Sequence, residues 1–381
     1  MMKLLYSNLF LLSLVPQLAF SVPTKNSKET QDVMRKIFAE MTNILPLSLN
    51  DEEFFDAKNS KRIEGSFARM AGLTDEFIKV TNSRRDIAFR GIRDDFIVIT
   101  KTANSAFRLG NKAKAQSLVH YQVEFCVSCH TQRSAPSDSS LTLDFMGELQ
   151  NQEYDPIEKA RLLTLVRRFD DAMKHYEDIL SSRSISTEQK VLSNTFLDYL
   201  VLGIRVKDDP ARVRAFLAER LNKKEPEVVR KAYQDTIEAI DQIGAMKGPR
   251  HFQFARQLIE DGYKNRDYPR DRKSMVHYLL ASRIIRQELN RQKNLSKADQ
   301  AHHSLLLGQA ELMIDGYDFG AMRYFESAIR QFPHSEVAGK AFDLYHENLS
   351  LGFTGSSGTH IPEEEVKVLE ELKALAKKAK Q

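Results

Sequence analysis

Two cysteines and one histidine hold the most specific chemistry in this chain. Its 381 residues include two cysteines in all, Cys126 and Cys129, and His130 follows the second directly. On a helix these three positions, i, i+3 and i+4, share one face. C-x-x-C-H is the attachment sequence for c-type haem. Two thioether bonds hold one edge of the porphyrin, and the imidazole reaches the iron from the same side. The rival chemistries ask for more. A structural zinc site takes four ligands, and the chain has no further cysteine. A reactive dithiol pair sits at a helix start, after a strand, whereas here the thiols end a long helical run. A plain disulfide or a chance match stays open beside haem. Arg133, three residues after His130, is a candidate partner for a haem propionate, because a guanidinium suits a carboxylate. Its alternative is an ordinary solvated arginine, favoured by the dipole at a helix end.

The elements that must position these residues read as helices. Met34, Ile37, Phe38, Met41 and Leu45 repeat at helical spacing over 27–45. A second helix is expected after the cap at Asn50 or Asp51, running to about Ala71. A third runs from about Asp86 to Leu109; "FIVIT" at 96–100 has strand-like composition, but the helical period of its flanks prevails. "GN" at 110–111 ends it, and a fourth runs from Lys112 into the cysteine motif, with Ala115, Leu118, Val119, Gln122, Phe125 or Cys126, and Cys129 as its stripe. Four such helices with short breaks imply an antiparallel bundle. The haem would then lie inside it, since the motif shares the apolar stripe.

The rest of the chain is helical as well. Tryptophan is absent, and glycine and proline are sparse, a composition that favours helix over strand. Pro156, Pro210 and Pro226 each follow an acidic residue, as prolines do at helix starts. "DGYDFGAMRYFESAIRQFP" carries Gly316, Ala321, Phe325, Ala328 and Pro333 at the small, small, aromatic, small, proline positions of a tetratricopeptide repeat. Phe169, Ala172 and Tyr176 resemble the second helix of another such unit. The expected fold class is therefore all-α: a four-helix bundle over 22–135, then an irregular α-hairpin, tetratricopeptide-like region over 136–350. A flexible tether and a C-terminal helix follow over 351–381. Residues 1–21 read as a signal peptide, with basic Lys3, the apolar "LFLLSLV" and small residues near a cut after Ser21. A membrane anchor is the alternative, but the apolar run is short for a spanning helix. The mature protein is expected in the periplasm.

The formal net charge is +4, which demands no nucleic acid. It sits mainly in 22–135, with 18 Lys+Arg against 14 Asp+Glu, whereas 136–381 has 37 against 38. The basic stretch "KNRDYPRDRK" at 264–273 reads as a solvated loop, with an acidic partner as the alternative. His120 reads as a partly exposed polar residue, and His302 and His303 as surface residues.

An exported four-helix bundle of this size, with C-x-x-C-H near the end of its last helix, resembles the cytochrome c-prime family over 22–135, about a third of the chain. The resemblance implies covalent haem c, with Cys126, Cys129 and His130 as attachment and axial residues. In that family the first helix supplies the residue facing the open side of the iron, and "ETQDVMRK" puts Met34 at that position, a sixth ligand in low-spin members. The family's usual arginine four residues earlier is Thr30 here. Met34 also reads as core filler on an apolar stripe, and Met41 and Met70 are other candidates of the same kind. A His/Met pair points to an electron carrier of raised potential, docking a redox partner protein through its helical region, rather than to an enzyme. A displaceable Met34 points instead to NO or CO binding or sensing. A homodimer through the bundle is a further expectation.

Overall fold

The computed structural model describes residues 25–82, 87–131, 154–187, 189–190, 194–267, 273–291, 295–315 and 319–377. The signal-peptide expectation for 1–21, Arg133 and the linker after it lie outside the described residues.

The fold is all-α. The N-terminal helices are α1 (Lys25–Ser48), α2 (Asp51–Phe55), α3 (Ala57–Thr81), α4 (Ile87–Arg108) and α5 (Lys112–Thr131). Local chemistry sets their ends. The Asn50 side chain accepts from the Glu53 amide and starts α2, and Asp56 accepts from the Lys58 amide and starts α3. Between α4 and α5, Gly110 takes φ +81°, a backbone state glycine adopts without strain, and Asn111 caps α5 by accepting from the Lys114 amide at 3.1 Å. "FIVIT" lies within α4: the burial stripe of a 22-residue helix outweighs the β-branched composition of five residues.

These helices enclose one apolar core. Helix α1 packs on α3, α3 on α4, α4 on α5, and α1 reaches α5. Ile37, Met41 and Ile44 of α1, Phe67 and Met70 of α3, Phe96 and Phe107 of α4, and Ala115 and Val119 of α5 are buried together. Phe54 of the short α2 is fully buried among them and meets Phe107 edge to face, ring centroids 6.0 Å apart. Leu162, Leu165 and Val166, well past residue 135, belong to the same core.

The last three lie on or just beyond α6 (Pro156–Leu165), which Asp155 caps with Pro156 at its first position. Then come α7 (Phe169–Ser181) and α8 (Thr195–Leu200), the latter continuing as a π-helical turn at Val201–Val206. The chain goes on through α9 (Pro210–Leu221), α10 (Glu227–Ala245), α11 (Phe252–Asn265), α12 (Met275–Arg291), α13 (Lys297–Asp315), α14 (Phe319–Gln331), α15 (Glu336–Gly352) and α16 (Glu363–Ala376). Sequential helices pair as hairpins, α6 with α7, α11 with α12, and α13 with α14. Phe169, Ala172 and Tyr176 are buried, as are Ala321, Phe325 and Ala328. Gly308 of α13 is the close-approach position there: a Cβ on it would stand 2.6 Å from the Phe325 ring. Gly316, to which the sequence pattern gave that part, lies outside the described residues.

Two expectations change. Part of the segment read as a flexible tether folds into a two-stranded hairpin, β1 (Thr354–Gly355) against β2 (Gly358–Thr359). Thr354 and Thr359 join hydroxyls across it at 2.6 Å. Beyond it α16 docks through Leu369, Leu372 and Ala376 against α14 and α15. His303 is buried rather than on the surface. It stacks on Phe252 with ring centroids 4.0 Å apart, and Nε2 lies 3.3 Å from Glu288. Adjacent helical positions point about 100° apart, so His302 stays exposed while its neighbour turns inward. Among the described residues no helix is long and apolar enough to cross a membrane.

Candidate haem-binding site

Cys126, Cys129 and His130 occupy the last two turns of α5, each half-buried. Cys126 packs against the edge of the N-terminal core, between Phe125 and Val127, and Met34 of α1 packs against that same core. The helix therefore turns the motif toward apolar surface, as its stripe requires. Gln122, one turn before Cys126, is fully buried. Its amide donates to Thr100 Oγ1 at 2.9 Å, and its Oε1 has no hydrogen-bond partner in the protein.

The imidazole of His130 is held by the next part of the chain. Its Nδ1 lies 2.6 Å from the backbone oxygen of Leu165, the last residue of α6. A carbonyl can only accept, so Nδ1 carries the proton. Burial and then the nearby Arg167 charge push the ring's pKa down to about 3, against the opposing pull of the Leu165 bond. The ring is therefore neutral at ordinary pH, and its remaining lone pair is on Nε2. A histidine fixed through Nδ1 to a carbonyl, with Nε2 left over, is the arrangement a metal-ligating imidazole takes.

Burial, with the neighbouring Cys129, pushes the Cys126 thiol up to about 12. The thiol is therefore protonated at ordinary pH. Among the described residues no three His, Cys, Asp or Glu side chains gather as a metal-ligand cluster. Met41 and Met70 are deep in the core, whereas Met34 is only half-buried at its rim. His120 is exposed, with Nε2 3.2 Å from the Ser48 oxygen.

The end of α5 is tied to the later helices as well. Thr131 is buried, and its hydroxyl oxygen accepts from Arg205 Nη2 at 3.0 Å. Arg205 comes from the π-helical turn and pairs through Nη1 with Glu311 of α13 at 3.2 Å. Glu311 also receives Arg286 Nη2 at 2.9 Å and Ser282 Oγ at 2.5 Å, both from α12. Burial alone would raise the Glu311 carboxyl, but Arg286, Arg205 and the Ser282 hydroxyl outweigh it and hold it at about 2. A separate bridge joins Arg323 of α14 to Asp95 of α4 at 2.5 Å.

Sequence reasoning missed Leu165, Arg167 and Arg205. A backbone carbonyl leaves no mark in residue type. Arg167, with φ +61° just beyond α6, gives only the trace of a charged residue at a helix end.

No protein-family model matches this chain, and neither a curated protein nor a solved structure matches it.

Proposed function

We propose that this protein is an exported mono-haem c-type cytochrome that carries single electrons. In this reading residues 22–135 form a cytochrome c-prime-like four-helix bundle and the later hairpins form a tetratricopeptide-like docking region for a redox partner. The observation that carries it is the state of His130: neutral, with Nδ1 committed to Leu165 and Nε2 left as a ligand atom, on the same helical face as two cysteines spaced for thioether attachment.

Cys126 and Cys129 would hold the group covalently, each S–H adding across a vinyl double bond, so that no oxidant is needed. His130 Nε2 would be the iron ligand on that side, and Met34 the candidate on the other. Bound there, the iron supplies one-electron redox chemistry. The chain contributes orientation of the imidazole through Leu165, apolar surroundings from the core, and the Arg167 charge near the ligand. The periplasm is the proposed location, and the bundle the proposed surface for any homodimer.

The test is the mass of the mature protein made in cells with haem-ligation machinery. A gain of one haem that survives denaturation supports the reading, and bare polypeptide overturns it. The competing NO or CO reading is decided by CO addition to the reduced holoprotein: an unchanged spectrum favours the carrier, an immediate change favours the gas-binding protein.

A further inference from the structure

A second site lies away from the cysteine motif, among α10, α11 and the start of α12. A cleft of about 340 Å³ opens there, large enough for a small molecule. Two buried polar side chains that line it each leave an atom without a hydrogen-bond partner. Ser274 is 1 % exposed and immediately precedes α12. Its carbonyl accepts from the His277 amide at 3.0 Å, as a helix-capping residue's does. A serine there normally spends its side-chain oxygen on a first-turn amide as well, yet this hydroxyl has no hydrogen-bond partner. His277, one turn on, is 5 % exposed, and its Nδ1 is likewise unsatisfied. A buried polar atom left unmade costs about 1–3 kcal/mol, and two in one cleft call for something that satisfies both.

The charges around them are divided. Asp235 and Glu238, three apart on α10, line one wall. Lys264, Arg266 and Lys273 line the other, within the basic stretch 264–273. Lys264 is 3.8 Å from Asp261, Lys273 is 3.8 Å from Asp267, which also faces the cleft, and the Arg266 guanidinium lies over the Tyr263 ring, 4.6 Å from its centroid. Asp235 pairs with Lys231 at 2.9 Å, and Glu238 accepts from Gln242 at 2.9 Å, leaving further carboxylate lone pairs. A simple anion would face the carboxylates, and a simple cation would face the lysines.

We propose that this cleft binds a small zwitterion of the amino-acid or short-peptide class. Its carboxylate lies at Ser274, Lys273 and the α12 N-terminus, and its ammonium at Asp235 and Glu238. His277 completes the polar contacts between them. The proposal is independent of the haem reading.

The test is calorimetric titration of the full chain with L-glutamate, L-lysine and glycylglycine, and with acetate, ethylammonium and inorganic phosphate as single-charge probes. Saturable one-to-one binding of at least one zwitterion is expected, at least tenfold tighter than acetate or ethylammonium. Ser274→Ala or the solvent-accessible Lys273→Gln weakens it at least tenfold. The proposal is overturned if no zwitterion saturates, if a single-charge probe binds as tightly, or if both variants keep full affinity.

Discussion

Arg205 and Glu311 form a buried ion pair that closes 106 residues of chain, Nη1 to Oε2 at 3.2 Å, with both side chains 7 % exposed. Removing one member of such a set leaves the others charged and without compensation. Glu311→Leu takes the buried counter-charge from both Arg205 and Arg286. It is expected to destabilise the protein by about 3–5 kcal/mol, read as a lowered urea midpoint at unchanged slope.

The same carboxylate sets an acid limit. Its folded pKa, about 2, lies below the ordinary 4.5. Between those values the unfolded chain binds the proton more readily, so stability falls as pH falls. The contribution is complete above about pH 4.5 and is lost toward pH 2, on the order of 3 kcal/mol in all. Unfolding free energy measured from pH 5 to pH 2.5 shows this slope in the wild type and a shallower one in Glu311→Gln.

Helix α6 completes the N-terminal core. Leu162, Leu165 and Val166 are buried in it, at roughly 1.5–3 kcal/mol each. A chain cut after residue 135 is expected to melt well below one cut after residue 182 and to bind a hydrophobic dye. Equal melting of the two fragments counts against this.

In the proposed haem reading, Met34 is the candidate ligand on the open side of the iron. In holoprotein, Met34→Ala is expected to shift the visible spectrum from a six-coordinate to a five-coordinate form and to admit CO at once. A mutant spectrum identical to that of the wild type removes Met34 as ligand.

Gly308 admits no side chain without movement of its partner. A Cβ there meets Phe325 ring carbons at 2.6 and 2.8 Å, and both belong to rigid packed helices. Gly308→Ala is expected to cost about 1–3 kcal/mol, measured as a lower thermal midpoint.

Much of the helical framework was legible because its signals are local. The stripe of α1, the Asn50 cap, "GN" at 110–111 and the prolines at 156 and 210 each mark a boundary through chemistry within a few residues, whereas the break at Asp56 and the run of α3 on to Thr81 did not show in the pattern. The motif face was legible for the same reason, since spacing alone puts Cys126, Cys129 and His130 together on a helix. What could not be read is set by partners distant in sequence. The carbonyl that orients His130 is 35 positions away and has no residue-type signature. His303 reads as a surface residue because its own helix does not reveal that Phe252 and Glu288 cover it. Arg205 looks like any charged residue until the π-helical turn carries it under Thr131.

The bond from Arg205 to the Thr131 hydroxyl has a mechanical consequence. A helix terminus ordinarily frays, exchanging its last amides with solvent at little free-energy cost. Here the terminal turn of the motif helix is clamped by a side chain anchored to distant helices. Its amide exchange should follow the opening of those helices rather than local unravelling, so that the grip on the turn carrying His130 is lost when the later helices let go of the end of α5.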